Sequence, residues 1–365
     1  MRLALLLVAV TGCGRIGFDT PGDGNNDSQA SLALTCNKPV RLVQPAELVY
    51  PRLAGIATQQ RIGAAWIEKS DAIVSGGAAF ETDELLANPG TTVFTPGSVG
   101  YTAVSLASNG PTFIGAGAIN DATVFRLYDS ASLQPIAPDL TDSTVIQNPH
   151  AITSVDAASG KSYAFVGSDP AGNVNLYGIS ATNQISGGVV IGFQDSYIGI
   201  TTMGARFTIA IVSTDSGQCE LASVAVDFGD TGPLIPFGGA ECVQPTMAYA
   251  PGRSDFLLLT YDTALDTILQ RITTISGSTL TPGAPTDFGG GTQPRAVATP
   301  SGYWATYHVA STVRAKHLSF AGVEDFDVFL GAAPDDTSHD LVTRKGEAYA
   351  LWMSDALYVA HLCAN

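Results

Sequence analysis

The chain has 365 residues, with 17 Lys+Arg against 33 Asp+Glu, a formal net charge of −16, and 45% hydrophobic against 14% charged residues. That balance excludes a mainly disordered chain, which needs low hydrophobicity and high charge, and a nucleic-acid binder that works by neutralising phosphates. The 39 Gly and 20 Pro, beside abundant Ser, Thr and Val, are the residues of an all-β protein with many turns.

The first element is the segment MRLALLLVAVTGC at residues 1–13, where Arg2 precedes the apolar run from Leu3 to Val10. The run is far too short for a membrane-spanning helix, which takes about 20 apolar residues, and reads as a signal peptide. Its end, Val10-Thr11-Gly12-Cys13, resembles the lipobox of bacterial lipoproteins. The resemblance implies a signal peptide over 1–12, cleavage before Cys13, lipidation of Cys13, and anchorage to the bacterial envelope. Gly14, where Asp would favour the inner membrane, points to the outer membrane. The other reading is an ordinary signal peptide followed by a chance Cys.

Residues 13–35 then form a flexible tether, whose stretch DTPGDGNNDSQAS at 19–31 is small, polar and free of aromatics. Asp19, Asp23 and Asp27 do not meet the spacing of a calcium loop, and no metal or cofactor is expected.

Five cysteines occur, at 13, 36, 219, 242 and 363. With lipid on Cys13, four remain for disulfides in an exported protein. The economical pairing is Cys219 with Cys242 and Cys36 with Cys363. A bridge closing more than 300 residues is worth roughly 5 kcal/mol in the chain-entropy model.

From residue 36 to 365 a weak unit recurs at about 48 residues. Each copy starts with a turn and a strand: YPRLAGIA (50–57), VGYTAVSLA (99–107), NPHAITSV (148–155), DSYIGITT (195–202), QPTMAYAP (244–251), QPRAVATP (293–300) and TSHDLVTR (337–344). A second apolar run follows, such as IGAAWI (62–67), FLLLTY (256–261) and YWATYHV (303–309), then a third, such as TVFRLYD (123–129) and ALYVAHLC (356–363). A shorter fourth segment, such as GGVVIGF (187–193) or DVFLG (327–331), ends most units. Four short strands per unit is the pattern of a β-propeller. The expected fold is one all-β domain over 36–365, a seven-bladed β-propeller with four antiparallel strands per blade. Six and eight blades are the alternatives. The last unit stops after its third strand, so PVRLV (39–43) is expected to supply the fourth and close the ring, which places Cys36 beside Cys363. Cys219 opens the third strand of the fourth unit, and Cys242 is expected in that unit's fourth strand or its exit.

The equivalent strand-entry residues are Arg52, Tyr101, His150, Tyr197, Thr246, Arg295 and His339. Around one channel mouth they would form a ring able to recognise a carboxylate, phosphate or sugar, through Arg forks and Tyr hydroxyls. The competing reading is that strand entries are solvated and tolerate large polar residues. Other motifs fall short. Ser159-Gly160-Lys161-Ser162 has Val155 where a P-loop needs Gly, and Gly115-Ala116-Gly117 lacks the third Gly of a dinucleotide loop. Glu324, Asp325 and Asp327, like Asp335 and Asp336, read as solvated turns, and Trp66 and Trp352 as packing between blades.

These features lead to an envelope-anchored binding or scaffold lipoprotein that engages a protein or glycan partner at one face of the propeller. The alternative is an exported hydrolase or lyase acting on glycans or peptides at the channel mouth.

Overall fold

The computed structural model describes residues 39–43, 53–58, 61–70, 73–81, 92–94, 103–119, 122–132, 134–142, 147–154, 163–168, 171, 173–180, 184–193, 195–213, 217–333 and 339–363. Among these every regular element is a strand. After β1 (Val40–Val43), sheet I holds β2 (Leu53–Ala57), β3 (Ile62–Ser70), β4 (Ile73–Glu81) and β5 (Thr92–Phe94). Sheet II holds β6 (Ala103–Ser108), β7 (Thr112–Ile119), β8 (Ala122–Asp129) and β9 (Leu140–Asp142). Sheet III holds β10 (Gln147–Ser154), β11 (Tyr163–Ser168), β12 (Asn173–Ile179) and β13 (Ile185–Phe193). Sheet IV holds β14 (Asp195–Met203), β15 (Arg206–Ser213), β16 (Gln218–Ala225) and β17 (Ile235–Gly238).

Sheet V holds β18 (Cys242–Tyr249), β19 (Asp255–Asp262) and β20 (Thr267–Ser276), with β21 (Thr279–Pro282) and β22 (Thr286–Gly289) both on the far edge of β20. Sheet VI holds β23 (Thr292–Thr299), β24 (Gly302–Val309), β25 (Thr312–Leu318) and β26 (Glu324–Ala332). Sheet VII holds β27 (His339–Arg344), β28 (Glu347–Met353) and β29 (Leu357–Leu362), with β1 on the outer edge of β29. Within each sheet neighbouring strands are antiparallel, and the architecture is an all-β propeller.

Why the second strands are continuous apolar runs is clear from the packing. In β19 (DFLLLTYD) Phe256 to Thr260 are all buried, and in β24 (GYWATYHV) only Val309 is not. A strand with sheets on both faces buries both sets of alternating side chains, which erases the period-2 pattern. The outer strand β26 (EDFDVFLGA) keeps one buried residue, Leu330.

The apolar core is divided among the clefts between sheets. Ile56 and Ala65 of sheet I meet Phe113 and Tyr128 of sheet II. Phe125 meets Phe165 between sheets II and III, at 4.5 Å between ring centroids. Val166 and Leu176 meet Phe207 and Ile209 between III and IV, and Leu221 and Phe237 meet Phe256 and Leu258 between IV and V. Leu257 and Leu259 meet Tyr303 and Tyr307 between V and VI, and Trp304 meets Trp352 and Leu341 between VI and VII. Trp66, Ile62 and Leu53 of sheet I then pack against Tyr349, Leu351 and Val359 of sheet VII. Trp66 and Trp352 are therefore core residues, as their place late in the second strands implied.

Two sequence expectations are corrected. Cys242 is not in a fourth strand: it opens β18, the first strand of sheet V, so the Cys219–Cys242 disulfide staples sheet IV to sheet V. Gly238 lies against it, since a Cβ there would stand 2.9 Å from Cys242 Sγ. Glu324, Asp325 and Asp327 are not in a turn but in β26, opposite the basic run of β25. They pair with Lys316 at 2.9 Å, His317 at 2.8 Å and Arg314 at 3.0 Å. The sequence signal was RAKH at 314–317 facing EDFD at 324–327, a cross-strand charge match.

Candidate functional site at the inner strands

The first strand of each sheet packs against the first strand of the next: β2 on β6, β6 on β10, β10 on β14, β14 on β18, β18 on β23, β23 on β27, and β27 on β2. Several of these strands share an irregularity near their start. The register slips at Pro149–Ala151 in β10, Asp195–Ile198 in β14, Val243–Thr246 in β18 and Thr292–Arg295 in β23. A bulge bends a strand and re-aims its side chains. In β18 and β23 it is made by Gln244 at φ 54° and Gln293 at φ 51°, each followed by Pro. Gln244 Oε1 accepts a hydrogen bond from the Gln293 N–H at 2.8 Å, tying one bulge to the next. The repeated Gln-Pro pair at 244–245 and 293–294 was the readable signal for this belt.

His150, Tyr197, Thr246 and Arg295 thus fall at or beside the same bulge in four successive inner strands. Thr246 is half-buried opposite Leu259. Arg52 and Tyr101 lie outside the described residues. His339 is the first described residue of β27 and is 0% exposed, so it backs the ring rather than lining it. The reason is strand alternation: His339 and Asp340 point to opposite faces. Burial first, and then the neighbouring Arg295 and His308 charges, push the His339 imidazole down to about 3, so it is neutral at physiological pH.

Asp340, on the opposite face, joins three sheets. Its Oδ2 accepts from the Gly55 N–H of sheet I at 2.6 Å, its Oδ1 accepts from the Leu341 N–H at 2.8 Å, and Arg295 Nε of sheet VI stands 3.9 Å away. Burial lifts the carboxyl above its ordinary range, while Arg295 and the two N–H donors oppose that rise. Gly55 is needed for this approach: a Cβ there would stand 2.8 Å from Val342 Cγ1 and 2.9 Å from Leu351 Cδ1. The Arg295 side chain remains 32% exposed, and its other contact is a long one, Nη1 to the Pro294 carbonyl at 3.4 Å. A guanidinium placed so, with a carboxylate beside it, can offer N–H donors to an incoming oxyanion while Asp340 fixes its direction. Among the described residues no group of three or more His, Cys, Asp or Glu is arranged to hold a metal ion.

No protein-family model and no characterised protein sequence matches the chain. Solved structures do. A chain of the Kuenenia stuttgartiensis hydrazine synthase is similar at TM-score 0.64 and 12% identity, over 89% of this chain and 98% of that one. The WD40 domain of Toxoplasma gondii coronin is similar at TM-score 0.55 and 16% identity, over 90% and 87%. The β-propeller domain of the Trilobed protease from Pyrococcus furiosus is similar at TM-score 0.53 and 9% identity, over 87% and 97%. At such identities the likeness shows the propeller fold and nothing finer.

Proposed function

We propose that this chain is an envelope-anchored binding or scaffold lipoprotein. Lipid on Cys13 holds it to the outer membrane, residues 13–35 are the tether, and residues 36–365 are the binding body. The body is a seven-bladed ring in which β1 completes the last blade, helped by a Cys36–Cys363 disulfide. The ring reading is supported by the β1–β29 pairing, Val40 opposite Val359 and Arg41 opposite Tyr358, and by the Trp66 cluster between sheets VII and I. Cys363 is disulfide-bonded, with its partner outside the described residues.

The ligand-binding face is the mouth ringed by Arg52, Tyr101, His150, Tyr197, Thr246 and Arg295. The observation that carries this is the half-exposed Arg295 guanidinium aimed beside Asp340 where sheets I, VI and VII meet. A ligand bearing a carboxylate or phosphate, such as an acidic glycan, matches those groups.

The test is a thermal-shift screen of the full mature chain, disulfides intact, against glycans, peptidoglycan fragments, small anions and divalent ions. A ligand at 100 times its Kd stabilises by about 2.7 kcal/mol. The expected result is a shift with an acidic saccharide or anion that Arg295→Ala removes, each shift being read from that protein's own ligand-free Tm. No shift with any member would end the small-ligand reading and favour a protein partner, to be sought by cross-linking in intact cells. Anchorage is tested separately: Cys13→Ser should abolish incorporation of a labelled fatty acid and release the chain from the membrane fraction.

A further inference from the structure

The far end of sheet VI, beyond the last residues of β23, holds a second group of side chains. The β23–β24 turn, Thr299-Pro300-Ser301-Gly302, leaves Ser301 exposed. Its Oγ lies 3.4 Å from His317 Nε2, and His317 Nδ1 lies 2.8 Å from Asp325 Oδ2. The three residues come from different elements: the turn, the end of β25 and the start of β26. The His317 side chain is 4% exposed, pressed against Trp304 at 4.9 Å between ring centroids, whereas Asp325 is 40% exposed. Thr299 Oγ1 stands 3.1 Å from Ser301 Oγ and donates to the Gly302 carbonyl at 3.2 Å.

With Nδ1–H donating to Asp325, Nε2 is the acceptor that faces the serine hydroxyl. This is the order of groups that activates a serine for acyl transfer. Burial also lowers the His317 pKa, against the pull of Asp325, which keeps the ring neutral and able to take a proton.

The fold does not demand this set. At the same register of sheet VII, Tyr349 faces His361 as Trp304 faces His317, but the acid beside His361 is Glu347 at 3.1 Å and the turn carries Lys345-Gly346. In sheet IV the corresponding corner is closed by Arg206 donating to Ser223 Oγ at 2.7 Å and to Asp230 at 2.8 Å. Each of these corners is tied by different polar groups, and sheet VI ties its corner with a solvent-facing nucleophile. Gly302 makes room for it, because a Cβ there would stand 3.1 Å from His317 Nε2.

We infer that Ser301, His317 and Asp325 form an esterase-type acyl-transfer site on the face opposite the inner-strand ring, acting on exposed carboxylic esters. Ser301 Oγ attacks the ester carbonyl carbon as its proton passes to His317 Nε2. The alkoxide leaves with that proton as the alcohol, and an acyl-Ser301 remains. Water, deprotonated by His317, then attacks the acyl carbon, releasing the carboxylic acid and returning the proton to Ser301. Asp325 acts through His317 and is a positioning residue.

The experiment incubates the full mature chain, disulfides intact, with a fluorophosphonate probe and with p-nitrophenyl acetate. Intact-mass and peptide analysis should find one phosphonyl group on the Ser301 peptide. Ser301→Ala should lose both the label and the burst of p-nitrophenol at unchanged Tm. His317→Gln should label at least about 10²-fold more slowly, the scale of a lost general base. Asp325→Asn should slow labelling while Asp325→Glu restores part of it, a rescue that a merely structural role would not give. Absence of labelling on the folded wild type, or labelling that survives Ser301→Ala, overturns the inference. Neither outcome bears on the anion site at Arg295, which is read by the thermal shift alone.

Discussion

At Gly302 the backbone adopts φ 153°, and a Cβ would run into the Leu318 carbonyl oxygen as well as the His317 ring. The position therefore accepts glycine alone. Gly302→Ala is expected to cost on the order of 3 kcal/mol, from a disfavoured conformation joined to a backbone collision. Denaturant melts of the variant check this, and a cost under 0.5 kcal/mol would refute the close approach.

Buried histidines set a pH dependence. Burial holds His339, His317 and His361 below the ordinary value of 6.5, His339 most of all. The unfolded chain takes up protons near pH 6.5 that these folded imidazoles refuse. Their stabilisation is thus complete above pH 6.5 and declines as pH falls below it, for His339 down to about 3, at up to about 1.4 kcal/mol per unit per histidine. Asp340, raised by burial, works in the opposite sense: its contribution is present at low pH and is lost as pH rises through its folded value. Tm should fall steadily from pH 6.5 to 4, and His339→Gln should flatten that slope. An unaltered slope would contradict the burial of His339.

On the scale of elements, the Cys219–Cys242 staple joins the third strand of one sheet to the first strand of the next. It closes a loop 23 residues long, worth about 3 kcal/mol if the chain-entropy account holds. The double variant Cys219→Ala/Cys242→Ala should lose about that much in equilibrium unfolding while keeping its far-UV spectrum. Both half-cystines are buried among Met203, Phe237, Met247 and Phe256, so the alanines should leave the IV–V cleft apolar and intact. The β25–β26 hairpin behaves differently. Its two ion pairs, Arg314–Asp327 and Lys316–Glu324, and the His317–Asp325 hydrogen bond lie at the outer edge, where partly exposed pairs contribute around 1 kcal/mol or less. They bear on register as well as stability, because a slip by one residue would move Lys316 from its place opposite Asp327 to one opposite Phe326 or Val328.

For the molecule as a whole, a ring of sheets has no free end to fray only if the last sheet is tied to the first. Sheets VII and I share the Trp66, Tyr349 and Val359 cluster and β1 pairs with β29, the contacts that would make that tie in the ring proposed above. Non-reducing peptide mapping should find Cys36 joined to Cys363. Cys36→Ala should then lower Tm by several degrees, since a bridge over the whole body is worth roughly 5 kcal/mol. Recovery of a different cystine would refute ring closure through these two residues.

The sequence alone determined the strand inventory. Runs such as FLLLTY and YWATYHV lie within β19 and β24, and ALYVAHLC contains β29, because a strand's apolar run is a local property written where it folds. It also determined the 219–242 pairing, since a bulky inter-sheet staple needs only nearness in chain. Tertiary structure alone decided which side of a strand faced what. His339 looked like its six counterparts by position, yet strand alternation turns it into the core and leaves Asp340 on the other face. Asp340, Gly55 and Arg295 come from three sheets, and no spacing within a repeat marks them as neighbours. Ser301, His317 and Asp325 likewise meet only because two hairpins of one sheet end at the same edge. Local physics writes strands and turns into the sequence, whereas a site is a meeting of residues that only the packing of hairpins and sheets brings within hydrogen-bonding distance.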